Sequence, residues 1–132
     1  MNIKSSKELV DVANQSIKIM SAEQVKDAYE KKEVTLIDVR DIRELWKEGT
    51  IKDAIHIPRG MLEFWMDPQS PYYQEKKIGE IKNIVLFCAL GFRSALATKS
   101  LKEMGFNNVA NASGGFDSLK NAGLPIVQKE KN

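Results

Sequence analysis

Two short apolar runs govern what this chain can fold into. Residues 34–39 (Val-Thr-Leu-Ile-Asp-Val) and 84–87 (Ile-Val-Leu-Phe) are apolar at successive positions rather than at alternate ones. Successive side chains on a strand point to opposite faces, so strands of this kind are covered on both sides, as the inner strands of a parallel sheet are. Helical signals alternate with them. Residues 6–16 carry Leu9, Val10, Val12 and Ala13 at amphipathic spacing. Ser21 with Gln24 forms the two ends of a capping box for a helix reaching about Lys31. Residues 41–47 and 93–104 read as further helices, with Leu45 and Trp46 as the core contacts of the first and Gly105 as the stop of the second. Gly114 and Gly115 open a last helix that reaches Ala122. Shorter strands are predicted at 17–20, on an edge, at 54–57, ended by Pro58, and at 108–111. Residues 59–80 are the least regular stretch. Strands alternating with helices at this spacing predict an α/β fold, a parallel sheet of about five strands with helices on both faces. A chain of 132 residues, 42% hydrophobic, builds such a core without disulfides or metal.

In an open parallel sheet, ligands bind beyond the carboxyl ends of the strands. Asp38 and Cys88 both fall there, on different strands. Cys88, the only cysteine, is followed by Ala89-Leu90-Gly91-Phe92-Arg93-Ser94 and then by a helix. Successive amides of such a loop can converge on one point and bind an anion, and the helix dipole adds positive potential at the same place. Both favour thiolate, the reactive form, over thiol. Arg93 adds a permanent positive charge, and Gly91 permits the backbone angle that a ring of amides needs. The bland alternative is a small buried residue that happens to be cysteine.

Several classes are disfavoured. One cysteine allows no intrachain disulfide and no cysteine-rich zinc site. The net charge of +2 comes without a basic stripe, which argues against nucleic acid. No apolar run approaches the ~20 residues of a membrane span, and the first residues lack the apolar core of a secretory signal. A reducing, cytoplasmic setting fits a lone thiol. His56, the only histidine, alternates with Ile55 and Ile57 and is read as structural. Asp38, Arg40 and Glu44 are read as a local ion-pair group that holds a strand end. The aromatic-rich residues 61–73 are either plain cover over the sheet or a wall beside a binding pocket.

Four segments, in order, resemble the rhodanese (sulfurtransferase) family of single-domain type. These are Asp38-Val39-Arg40, then Gly49-Thr50-Ile51-Lys52-Asp53-Ala54 leading to Ile57-Pro58, then Cys88 to Ser94, then Gly114-Gly115-Phe116 with Gly123-Leu124-Pro125. Thr50 stands where the family's pattern has His, and Asp53 where it has Gly. The resemblance covers about residues 17–127 and implies one domain over 1–132, with a helical extension at 5–16 and a frayed tail at 128–132.

It further implies that Cys88 takes a sulfane sulfur as a persulfide and passes it on, with Arg93 as the second catalytic residue. Ala89, Leu90, Gly91, Phe92 and Ser94 are then substrate-binding. The loop from Cys88 through Arg93 has six residues, the length that goes with sulfur transfer. Seven-residue loops go with the related phosphatases and arsenate reductases, and this loop carries no proton-donating carboxylate. Arg93 is its only cation, whereas thiosulfate-specialised members carry more charge there. The implied partners are a small sulfur donor, such as thiosulfate or a persulfide, and a thiol or cyanide acceptor, with a partner-protein thiol as a further candidate. Neither a cofactor nor a metal is expected. The competing readings are a rhodanese-fold binding module without turnover and a cysteine-dependent phosphatase.

Overall fold

A computed structural model describes residues 2–78, 80–81 and 83–131. Its first three helices start on side-chain caps. Helix α1 (Ser6–Ser16) begins where the Ser5 hydroxyl accepts from the Glu8 amide. After strand β1 (Lys18–Met20), the Ser21–Gln24 capping box is formed in both directions and starts α2 (Ala22–Glu30). Strand β2 (Thr35–Asp38) leads to α3 (Ile42–Glu48), itself opened by a capping box of Asp41 and Glu44. Then come β3 (Thr50–Ile51), β4 (Ile55–His56), a 3₁₀ turn (Arg59–Met61), α4 (Leu62–Met66) and α5 (Glu75–Ile78). Strand β5 (Ile84–Phe87), α6 (Phe92–Met104), β6 (Val109–Ala112), α7 (Gly115–Asn121) and β7 (Ile126–Val127) complete the chain.

Five strands form one parallel sheet in the order β1-β6-β5-β2-β4. The two apolar runs pair directly, Leu36 with Val85 and Ile37 with Leu86. Their alternate side chains feed two cores. Ile37, Ile84, Leu86 and Cys88 pack with Ile57, Leu62, Met66 and Leu101 on one face. Leu36, Val85 and Phe87 pack with Val25, Ile51, Phe116 and Leu119 on the other. Burial on both faces at period two is what the uninterrupted apolar runs demand.

The structure departs from the sequence reading at several places. Residues 59–80 contain a 3₁₀ turn and two short helices. Leu62 and Met66 are buried there, while Phe64 and Tyr72 stand exposed as an edge-to-face pair. Trp46 is half-buried rather than a core contact, and the Lys131 ammonium lies over its ring. A second, two-stranded sheet joins β3 and β7 in antiparallel register, with pairs too short to leave a strand signature. Strand β6 runs one residue later than its predicted end.

The buried Asp38–Arg40 pair holds the carboxyl end of β2. Both side chains are fully enclosed, with Nε to Oδ1 at 3.0 Å and Nη2 to Oδ2 at 2.9 Å. The same Nη2 donates to the Gly49 carbonyl, the Thr50 hydroxyl donates to Asp38 at 2.8 Å, and the guanidinium stacks on Phe116. Buried charges persist only with such pairing. Thr50, at the position where the family has His, thereby serves as an anchor of the turn. Asp53 takes a φ of 69°, the left-handed conformation that explains why glycine is usual there. His56 Nε2 lies 2.7 Å from the Arg40 carbonyl oxygen, a structural contact.

Candidate active site

Strand β5 delivers Cys88 to the sheet rim, beside the end of β2, where Asp38 pairs with Phe87. The conformation of the next six residues follows from where their carbonyls go. The Cys88 carbonyl accepts from the Phe116 amide at 2.8 Å. The Gly91 carbonyl accepts from Asn111 Nδ2 at 3.1 Å and from the Ala95 amide at 3.2 Å. With the carbonyls tied outward, N–H groups turn inward. The Gly91 amide points at Cys88 Sγ from 3.1 Å, the Ser94 amide from 3.4 Å and the Ser94 hydroxyl from 3.3 Å.

Two glycines make this possible. Gly91, at a φ of 106°, turns the chain into α6 in a conformation that L side chains avoid. Gly115 lets the start of α7 lie against the loop. A Cβ there would meet the Ala89 carbonyl oxygen at 2.5 Å and that of Cys88 at 2.6 Å.

Cys88 as a residue is 1% exposed and has apolar neighbours on its core side. Burial opposes its ionisation. Donors from the Ser94 hydroxyl and from the amides of Ser94, Gly91 and Leu90 outweigh that burial and hold the Cys88 thiol below its ordinary value. The site can therefore carry a sulfur anion beneath a loop whose only charged side chain is Arg93.

Two residues that the sequence reading did not assign to the loop complete it. Asn111, buried on β6, accepts from the Ser94 hydroxyl at 2.6 Å while it donates to Gly91. The hydroxyl has one proton, so Asn111 Oδ1 and Cys88 Sγ compete for it. An asparagine between Val109-Ala110 and Ala112 on a buried strand was the available signal, since buried polar side chains need partners. Glu44, grouped above with Asp38 and Arg40, instead receives both ends of the Arg93 guanidinium at 2.7 and 2.9 Å. Arg93 first, and against it partial burial, set the Glu44 carboxyl, which lies below its ordinary value. The capping of α3 points Glu44 toward the loop, a placement invisible from spacing alone.

Among the expected site residues, Leu90, Gly91 and Ser94 bring donors to Cys88. Arg93 stands at the outer edge, where Glu44 first and Cys88 after it favour its charged form. The carbonyl of Ala89 faces Gly115, and the side chains of Leu90 and Phe92 are exposed.

Comparison with known proteins fits this geometry. The family described as "Rhodanese-like domain" matches residues 21–122. A sulfurtransferase from Allochromatium vinosum is 31% identical over 98 residues, covering 74% of this chain and 82% of that protein. The thiosulfate sulfurtransferase GlpE of Coxiella burnetii is 30% identical, covering 77% of this chain and 85% of its own length. Among solved structures, a Rhodopseudomonas palustris protein of unknown function, described as a possible tyrosine phosphatase, superposes with a TM-score of 0.89. It is 39% identical and spans 96% of this chain and 97% of its own. A homodimeric polysulfide-sulfur transferase from Wolinella succinogenes gives 0.69 at 32% identity, over 96% and 89% of the two chains.

Proposed function

The chain belongs to the rhodanese-like domain family, and on that premise we propose that it is a sulfurtransferase working through a persulfide on Cys88. The observation that carries this reading is the convergence of the Gly91 amide, the Ser94 amide and the Ser94 hydroxyl on Sγ. Such preorganised donors stabilise a sulfur anion without reorganising during the reaction.

The Cys88 thiolate attacks the sulfane sulfur of the donor. An S–S bond forms to Cys88, and the donor's bond to that sulfur breaks, its electron pair leaving as sulfite or a thiolate. An acceptor thiolate or cyanide then attacks the outer sulfur and returns Cys88 to the thiolate. Arg93, held by Glu44, supplies the positive charge at the loop's edge. Ala89, Leu90, Gly91, Phe92 and Ser94 form the substrate-binding loop. Thiosulfate:cyanide turnover is expected to be weak, because Arg93 is the only loop cation and its charge is already matched by Glu44. The natural donor is then a low-molecular-weight or protein persulfide, and the setting a reducing cytoplasm.

The phosphatase reading draws on the Rhodopseudomonas palustris relative. It would need a carboxyl group that gives up a proton. Glu44 is the carboxylate brought to the loop, and its pairing with Arg93 keeps it ionised. Sulfur transfer is the better fit.

Intact mass after incubation with thiosulfate or glutathione persulfide tests the reading. A gain of one sulfur that disappears in Cys88→Ser is expected. An unmodified thiol would favour a binding module without turnover. Hydrolysis of an aryl phosphate would restore the phosphatase.

A further inference from the structure

An apolar groove of about 500 Å³ lies between α1 and the thiol loop, lined by Val10, Phe92 and Leu96, with Lys7, Asp11 and Arg93 also in its lining. Its volume is that of a small-molecule site. Helix α1 forms one wall, and its residues 6–16 precede the family-matched segment 21–122. That wall is firmly seated. Val10 and Ala13 pack on Ala95 of α6, and the Lys102 ammonium donates to the Ser16 carbonyl.

The opposite wall belongs to the reactive loop itself. Phe92 is 61% exposed, and Leu90 beside it is 54% exposed. Large apolar side chains at the mouth of an anion site gain nothing from water or from a small inorganic anion. They gain from a carbon skeleton laid against them. The charges are arranged to match. Lys7 is paired with Asp11 at 2.7 Å and Arg93 with Glu44 at 2.7 and 2.9 Å, so the cations lining the groove are already matched and hold no second negative charge. An occupant with an apolar body and an anionic sulfur at one end fits both features.

We infer that this groove is the subsite for the organic substituent of the sulfur donor, and that the donor class is a monoanionic organic sulfane compound, R–S–S⁻ or R–SO₂–S⁻, with an apolar R. The inference rests on the sulfur-transfer reading and specifies its substrate. With a thiosulfonate, Cys88 forms a bond to the terminal sulfur, and the sulfonyl–sulfur bond breaks with its electron pair leaving as the sulfinate R–SO₂⁻. Atoms and charge balance without any redox partner.

Methanethiosulfonate and butanethiosulfonate test this in the full chain, because they share a reacting group and differ by three methylenes. Each fully buried methylene is worth about fourfold, so kcat/KM should favour the butyl donor by about tenfold in an open groove and by at most about sixtyfold. Val10→Asp should bring that ratio close to one. Val12→Asp, on the same helix but outside the groove lining and 47% exposed, should leave the ratio as in the parent. Melting curves by circular dichroism establish that both variants are folded.

A ratio near one in the parent protein overturns the inference while leaving sulfur transfer intact. The same holds for a parent ratio that survives in folded Val10→Asp. If sedimentation shows a dimer that Val10→Asp dissociates, a second copy of the chain occupies the groove and the inference is also overturned. Failure of either thiosulfonate, and of thiosulfate, to add a sulfur to Cys88 strikes the parent reading itself.

Discussion

Ser94→Ala removes one of the donors aimed at Cys88 and leaves the loop amides in place. A hydrogen bond to a charged group contributes about 1.5–3 kcal/mol. The lower end applies here, because the oxygen sits 3.3 Å from Sγ and shares its single proton with Asn111 Oδ1 at 2.6 Å. At 1.36 kcal/mol per pKa unit, the Cys88 thiol should titrate about one unit higher in the variant. The pH dependence of alkylation by iodoacetamide reads this directly. Its inflection should move up by about one unit, and below both inflections the rate should fall about tenfold.

The same shift appears in stability. Cys88 is more acidic folded than unfolded, so its contribution is complete above the unfolded value and is lost as pH falls through the folded one. Relative to Cys88→Ser, the parent should therefore gain stability as pH rises between those two values, and Ser94→Ala should gain less. An inflection that stays put, or moves down, would refute the view that the Ser94 hydroxyl holds the thiolate.

Two further outcomes test the scaffold around the loop. Arg40→Leu leaves the Asp38 carboxylate fully buried without its cation and should cost about 3–5 kcal/mol in urea unfolding; a loss below about 1 kcal/mol would contradict the enclosed pair. Gly115→Ala places a methyl 2.5 Å from the Ala89 carbonyl oxygen at a φ of 61°, so about 1–3 kcal/mol should be lost. The loop should shift with it, which is checked by slower alkylation of Cys88 than in the parent.

Much of this protein was legible one segment at a time. The capping box at Ser21, the apolar runs that become β2 and β5, and the turn from Cys88 through Gly91 into α6 are local matters. They are decided by side chains within a few residues of one another, by backbone angles open to glycine, and by the period of two that a strand imposes. The parallel sheet followed from those signals. The ordered motifs then pointed to the family and to the thiol.

What the tertiary structure alone decided are the partners. Glu44 faces Arg93 rather than Arg40, Asn111 reaches across to both Ser94 and Gly91, and Thr50 closes the enclosed Asp38–Arg40 pair. Helix α1 becomes a wall beside the reactive loop only because Val10 and Ala13 find Ala95 more than eighty residues away. A buried hydrogen bond or an apolar contact depends on distances that arise only after the sheet has assembled, and no spacing along the chain encodes them.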